Sequence, residues 1–242
     1  MNYRLNSIAS PWLITLIALN AAIFLALTIT SLMASAYIAE TLSLGPTLTE
    51  LIKRPWTIIT YSFTQINVLQ LLFNMLWLYS FGRLFIMSRP DYELLYVYIV
   101  GAIMGGGAFL LFSSIFGANA SGWLMGSSAA VIAVAVAVAI IMPDKELNLP
   151  LIGPTKIKWI VAVVVVIFCI GLSAPNAGGN LAHLGGTAAG AVSGAIIRHS
   201  KSTTSPNEYS ILIEKIKRSG YEALSSREKR RFFELSSRRS AR

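Results

Sequence analysis

Charge is scarce in this sequence. Charged residues fill 13% of the 242 positions while 55% are hydrophobic, against roughly a quarter charged in soluble domains, which excludes a soluble globular fold. The 11 acidic residues avoid the apolar stretches except at boundary positions near 91–93, so no carboxylate is available to complete a catalytic triad there. Cysteine occurs once, as Cys169, which excludes an intrachain disulfide and a cysteine metal cluster. No low-complexity tract or internal repeat stands out.

What remains is long apolar sequence. A spanning helix needs about 20 mostly apolar residues, and six candidate stretches run roughly over 12–36, 58–82, 93–116, 124–142, 158–173 and 180–198. They predict an all-α membrane protein with six transmembrane helices, the last two short for a full span. The first follows a polar leader carrying Arg4 and is too long for a signal-peptide core, so it reads as a retained helix. Residues 37–57, with Glu40, Gly45, Pro46, Glu50 and Pro55 among apolar positions, read as a loop folded back on the membrane.

The net charge of +9 is unevenly placed. Twelve Lys and Arg against five acidic residues lie beyond position 197, and Arg4, Arg83, Arg89, Lys145, Lys156 and Lys158 fall on the same side of the spans. The opposite side has only Lys53 and Arg54. The positive-inside rule therefore puts both termini in the cytoplasm, most simply of a cell (inner) membrane. The chain divides into a membrane domain over 1–199, a Ser/Thr/Pro linker over 200–207 and a small basic helical module over 208–242. In that module Tyr209, Leu212, Ile213 and Ile216 recur at helical spacing, Gly220 stops the helix, and Ser225 with Glu228 is in capping-box register. The basic tail fits attraction to anionic lipid headgroups, and no nucleic acid partner is expected.

Two polar residues stand out in the apolar sequence. Ser128 follows Gly126 where a short loop enters an alanine-rich helix, and a helix start leaves N–H groups free to stabilise an oxyanion; alternatively Ser127 and Ser128 only cap the helix. His183 begins a stripe with Gly186, Gly190 and Gly194, a face that must pack closely on another helix. An imidazole at that depth could serve as a general base for Ser128, as a packing hydrogen bonder or as a proton relay. In the second stretch Gln70 and Asn74 lie one turn apart, with Gln65 and Asn67 nearer its outer end. Side-chain amides there could donate to an oxyanion or join helices, the second use suiting Gln65 and Asn67 better.

PWTIITYSFT, the Asn of LLFNMLWLYSFG, the Gly-x-Ser start of the fourth helix and Ala-His-x-x-Gly-x-x-x-Gly on the sixth occur in one order over the whole membrane domain, and together they resemble the rhomboid family of intramembrane serine proteases. That resemblance implies a six-transmembrane-helix rhomboid-like bundle, cleavage of membrane-anchored substrates in or beside their transmembrane segment, Ser128 as nucleophile, His183 as base and Asn74 in the oxyanion hole. It implies no metal or cofactor. The sequence departs from the family pattern at Gln70, where many members have His, at Ala129 for the usual Gly, and at Ile132 for an aromatic that stacks on the histidine. The Trp-Arg pair of the first loop is absent. The amide of Gln70 keeps a donor in place, and orientation of His183 then rests on packing. Two other classes compete: a catalytically inactive rhomboid-like protein that binds membrane clients, favoured by Gln70 and Ile132, and a small transporter or channel with His183 as relay.

The charge asymmetry sets a test of orientation. A cysteine introduced near Thr204 should react with a membrane-impermeant thiol reagent only after permeabilisation, whereas labelling in intact cells would reverse the assignment.

Overall fold

The computed structural model describes residues 10–33, 37–117, 122–149, 153–170, 177–200 and 208–240. The chain falls into two compact units, Met1–His199 and Ser200–Arg242.

Helices occupy all six apolar stretches. In the first unit α1 runs over Pro11–Met33 with proline at its first position, where a missing N–H costs nothing. Three short helices follow, α2 (Tyr37–Leu42), α3 (Leu48–Lys53) and α4 (Thr57–Thr60), then a single 3₁₀ turn over Tyr61–Phe63. The long helices α5 (Val68–Ser88) and α6 (Asp91–Phe116) come next, and α7 (Ser128–Ile141), α8 (Ile157–Ile170) and α9 (Ala177–His199) complete the set. Among the described residues three helices are long and apolar enough to cross a membrane, over Pro11–Thr30, Val68–Ser88 and Asp91–Phe116, while Ser128–Ile141 and Ile157–Ile167 are shorter apolar helices.

The structure corrects two expectations. The second stretch, expected to be helical from about 58, becomes a long helix only at Val68, because Asn67 adopts extended backbone and its side chain accepts from the N–H groups of Leu69 and Gln70. Asn67 is thus a helix cap rather than an interhelical bond. Between α7 and α8 a small antiparallel hairpin was not anticipated: β1 (Glu146–Leu149) pairs with β2 (Gly153–Lys156), Glu146 opposite Lys156. The loop 37–57 is itself structured, since Thr47 and Glu50 form a reciprocal capping box on α3. The leader before Ser10, most of the linker, and much of the loop near 174–179 lie outside the described residues.

Helix α7 forms the centre of the first unit. Its sequence alternates alanine and β-branched residues, apolar on every side, and every residue from Ala129 to Ala139 is buried, as such a helix must be. It packs against α5, α6, α8 and α9. The contact with α9 is backbone against backbone. A Cβ added to Gly186 would lie 2.8 Å from the Ala129 carbonyl carbon, one on Gly190 2.8 Å from Ala133 Cα, and one on Gly194 2.9 Å from Ala137 Cα. Each step of four on one helix is matched by a step of four on the other, so the two run parallel in fixed register. Helix α6 approaches as closely, a Cβ on Gly105 lying 2.7 Å from Ala129 Cβ and 3.0 Å from the Ala182 carbonyl oxygen of α9.

Helix ends are tied by arginine. Buried Arg89 pairs its Nε with Glu93 Oε2 at 2.9 Å and donates from Nη2 to the Ile197 carbonyl of α9 at 2.6 Å. Arg198 Nη1 donates to the Ile140 carbonyl of α7 at 3.2 Å. Both cations satisfy carbonyls that a helix C-terminus leaves unpaired, where the macrodipole favours positive charge.

In the second unit α10 (Glu208–Ser219) ends at Gly220, at φ +81°, and a 3₁₀ turn over Tyr221–Ala223 leads to α11 (Ser226–Ser240). Ser225 and Glu228 form the capping box, and Lys215 of α10 reaches Glu228 at 2.7 Å. The Lys215 hydrogen bonds hold the Glu228 carboxyl down at about 2. Leu212 and Leu224 are buried between these elements, and Tyr221 meets Phe232 and Phe233 edge-on.

The same substitution should have opposite signs at two glycines. Gly190→Ala drives a methyl group into the α7 backbone and should lower stability by at least the about 1–3 kcal/mol of overpacking. Gly107, on α6, has nothing within 4 Å of an added Cβ, and Gly107→Ala should gain up to about 1 kcal/mol from helix propensity. Thermal unfolding in one detergent compares them, and equal shifts would remove the role assigned to the α7–α9 contact.

Candidate active site

The approach to α7 is held from three sides. Leu44 and Leu124 exchange backbone hydrogen bonds of 3.1 and 2.9 Å, joining the loop before α3 to the one before α7. Gly126 N–H donates to the Tyr61 carbonyl at 3.0 Å, while the Tyr61 hydroxyl donates to the Ala102 carbonyl of α6 at 2.7 Å. Arg54 stacks over Trp123 at 5.5 Å and also donates to the Glu40 carbonyl. Gly126 sits at φ +115°, a conformation closed to most L-residues, and a Cβ there would lie 2.5 Å from the Gln70 amide nitrogen. Glycine is required here on both counts, and Gln70 rests directly over the loop that delivers Ser128.

Ser127 is the N-cap residue, yet its side chain accepts no capping hydrogen bond. Its Oγ is buried without a hydrogen-bond partner. Ser128 opens the helix, and its Oγ lies 2.7 Å from His183 Nε2. The capping alternative therefore accounts for neither hydroxyl.

His183 reaches Ser128 because α9 lies against α7 through Gly186 on Ala129, one turn along. Thr187 Oγ1 donates to the His183 carbonyl at 2.9 Å. Ala129, the departure from the usual glycine, is packed between Gly105 of α6 and Gly186 of α9, and Ile132 is buried one turn further. For a neutral imidazole to take the Ser128 proton, Nε2 must be the unprotonated nitrogen and Nδ1 must carry the hydrogen.

The amides of α5 separate into two groups. Gln70 faces the Gly126 loop. Asn74, buried one turn deeper, donates from Nδ2 to Gln65 Oε1 at 2.9 Å. Gln65 in turn donates from Nε2 to Asn20 Oδ1 of α1 at 2.8 Å, so it joins helices as expected of it. Asn20 Nδ2 donates to the Leu16 carbonyl at 2.8 Å and to the Tyr98 hydroxyl at 3.2 Å, and Tyr98 donates to the Ser62 carbonyl at 3.0 Å. Asn20, Gln65, Tyr98 and Ser62 are fully buried.

The structure thus brings Ser128 and His183 into hydrogen-bond contact, sets Gly126 and Gln70 beside them, and uses Gly186 and Gly190 to hold the two helices together. Asn74 lies on α5, which packs on α7, and no hydrogen bond links it to the serine or histidine among the described residues. Sequence inspection missed Asn20 and the close-packing glycines of α6. Both left a signal: Asn20 is a lone amide in an apolar span, and Gly101 and Gly105 are spaced as small-xxx-small. No group of three His, Cys, Asp or Glu capable of holding a metal occurs among the described residues.

Compared with known families, residues 53–200 match the family model described as Rhomboid domain. That segment covers more than half of the chain and contains Ser128, His183, Gly126, Gly186, Gly190, Gln65, Gln70 and Asn74, but not Asn20. No curated protein matches the chain.

Proposed function

The chain belongs to the rhomboid family, a family of helical integral membrane proteins, and from that premise we propose that it is an intramembrane serine protease working through a Ser128–His183 dyad. The observation that carries the proposal is the 2.7 Å contact between Ser128 Oγ and His183 Nε2. A serine hydroxyl is a poor nucleophile until a base within hydrogen-bond reach takes its proton. No carboxylate lies in the apolar stretches to complete a triad, so the dyad is the minimal arrangement.

In the proposed reaction Ser128 Oγ attacks the scissile carbonyl carbon while its proton passes to His183 Nε2. The carbonyl oxygen becomes an oxyanion, met by amide N–H groups of Asn74 and Gln70 and by free backbone N–H at the α7 start. Collapse breaks the C–N bond, His183 returns the proton to the leaving amine, and water then hydrolyses the acyl-enzyme by the same steps reversed. Substrates are membrane-anchored proteins cleaved within or next to their transmembrane segment. In this reading α1, α5, α6, α7, α8 and α9 are six spans, both termini are cytoplasmic, and the basic 208–242 module lies near anionic headgroups.

A second reading, a catalytically silent protein that binds membrane clients, is favoured by Gln70 and Ile132. A fluorophosphonate probe separates the two. Labelling should be present in the wild type, lost in Ser128→Ala and in His183→Ala, and retained in Ser127→Ala. Proteolysis should vanish in each single variant, the double being little worse because the pair acts as a unit. An unlabelled wild type rejects the enzyme.

The oxyanion donors should affect turnover rather than substrate binding. Loss of one such donor costs about 10²–10³ in turnover, so Asn74→Ala should fall in that range, Gln70→Ala less, and Gln70→His should match or exceed the wild type. Turnover and KM on a transmembrane reporter substrate decide the matter. A change confined to KM would return these amides to a packing role.

A further inference from the structure

Asn74 ends a chain of buried amides whose direction is set at the far end. A primary amide can sit in its pocket in two orientations, with oxygen and nitrogen exchanged, and only its partners choose between them. The Leu16 carbonyl can only accept, so the group 2.8 Å from it must be Asn20 Nδ2. The Tyr98 hydroxyl gives its proton to the Ser62 carbonyl, so it too accepts from Asn20. Asn20 Oδ1 is then turned toward Gln65, which must present Nε2, at 2.8 Å. That choice turns Gln65 Oε1 toward Asn74, which must present Nδ2, at 2.9 Å. Each orientation forces the next.

We propose that Asn20 and Gln65 are positioning residues that fix the direction of the Asn74 amide, so that its remaining N–H is presented to the developing oxyanion. The proposal rests on Asn74 being an oxyanion donor, as argued above. Asn74 shares its pocket with few alternatives: it is buried, and an amide with its oxygen toward the oxyanion would repel the charge it is meant to stabilise. Reversing any one member of the chain would set oxygen against oxygen or N–H against N–H, a penalty that grows at low dielectric. Burial of four polar side chains in an apolar bundle is otherwise costly, and a purely structural bridge between α1 and α5 would not need to end on Asn74.

The experiment uses the full chain in proteoliposomes and variants that keep volume but remove hydrogen bonding, Gln65→Met and Asn20→Leu, each with and without Asn74→Ala. Freeing the Asn74 amide should lower turnover by more than the about twofold of an amide turned the wrong way half the time, and by less than the about hundredfold for losing the donor. The expectation is a fall of about three- to thirtyfold for Gln65→Met, somewhat less for Asn20→Leu, with KM within about twofold. In the Asn74→Ala background both substitutions should be silent. If they lower turnover by the same factor there as in the wild type, they act on stability and the proposal is overturned. It is also overturned if Asn74→Ala is impaired while Gln65→Met turns over normally, a result that leaves the protease assignment intact. An unlabelled wild type in the fluorophosphonate assay overturns both together. Should Gln65→Met not fold, Asn20→Leu carries the same expectations, since leucine suits a spanning helix and lies two hydrogen bonds away from Asn74.

Discussion

Everything in the site depends on how closely two backbones approach. Ser128 and His183 are 55 positions apart, on helices that meet at 2.7 Å between side-chain tips only because no Cβ separates Gly186, Gly190 and Gly194 from α7. In a bilayer there is no hydrophobic force between helices, since lipid tails are as apolar as leucine, and close van der Waals packing has to supply the attraction. Alanine on one helix and glycine on the other maximise it. The glycines and alanines of the seam have no side-chain rotamers to lose on packing, so it has few ways to rearrange short of moving a whole helix.

Around that seam the polar groups form two kinds of structure. One is a short contact, serine to histidine, which the proposed reaction uses for proton transfer. The other is an extended run of amides from α1 to α5, each member satisfied by the next, as buried polar atoms must be where water is excluded. At the opposite end of the helices, arginine serves a third purpose by closing carbonyls at the ends of α7 and α9. Arg89 and Arg198 are thus placed at helix termini, where the macrodipole and a polar boundary both favour them.

Much of this was legible from the sequence because membrane helices obey strong rules. The six apolar stretches all contain helices, and the His183–Gly186–Gly190–Gly194 periodicity named the packing face and left only the partner helix to be found. Gly126 before Ser128 marked the short loop that enters the helix. Less legible were features set by tertiary contact. The delayed start of α5 follows from Asn67 capping, which competes with the apolar pattern around it, and the hairpin over 146–156 is too short for a period-2 signal. Asn20 was passed over because a single amide in an apolar helix has no meaning until its partner, 45 positions away, is placed beside it.

Helix α7 has 14 residues, about 21 Å of rise at roughly 1.5 Å each, against a hydrocarbon layer of about 30 Å. In the proposed six-span arrangement the remaining depth falls to the loop over 122–127 and the segment carrying the short helices α2, α3 and α4, and backbone outside long helices is tolerated at membrane depth only where protein or water surrounds it. The Leu44–Leu124 bridge supplies the protein. The consequence concerns hydration: in the proposed reaction, water for hydrolysis at the α7 start comes from the aqueous face on the side of this segment rather than through the lipid around the bundle.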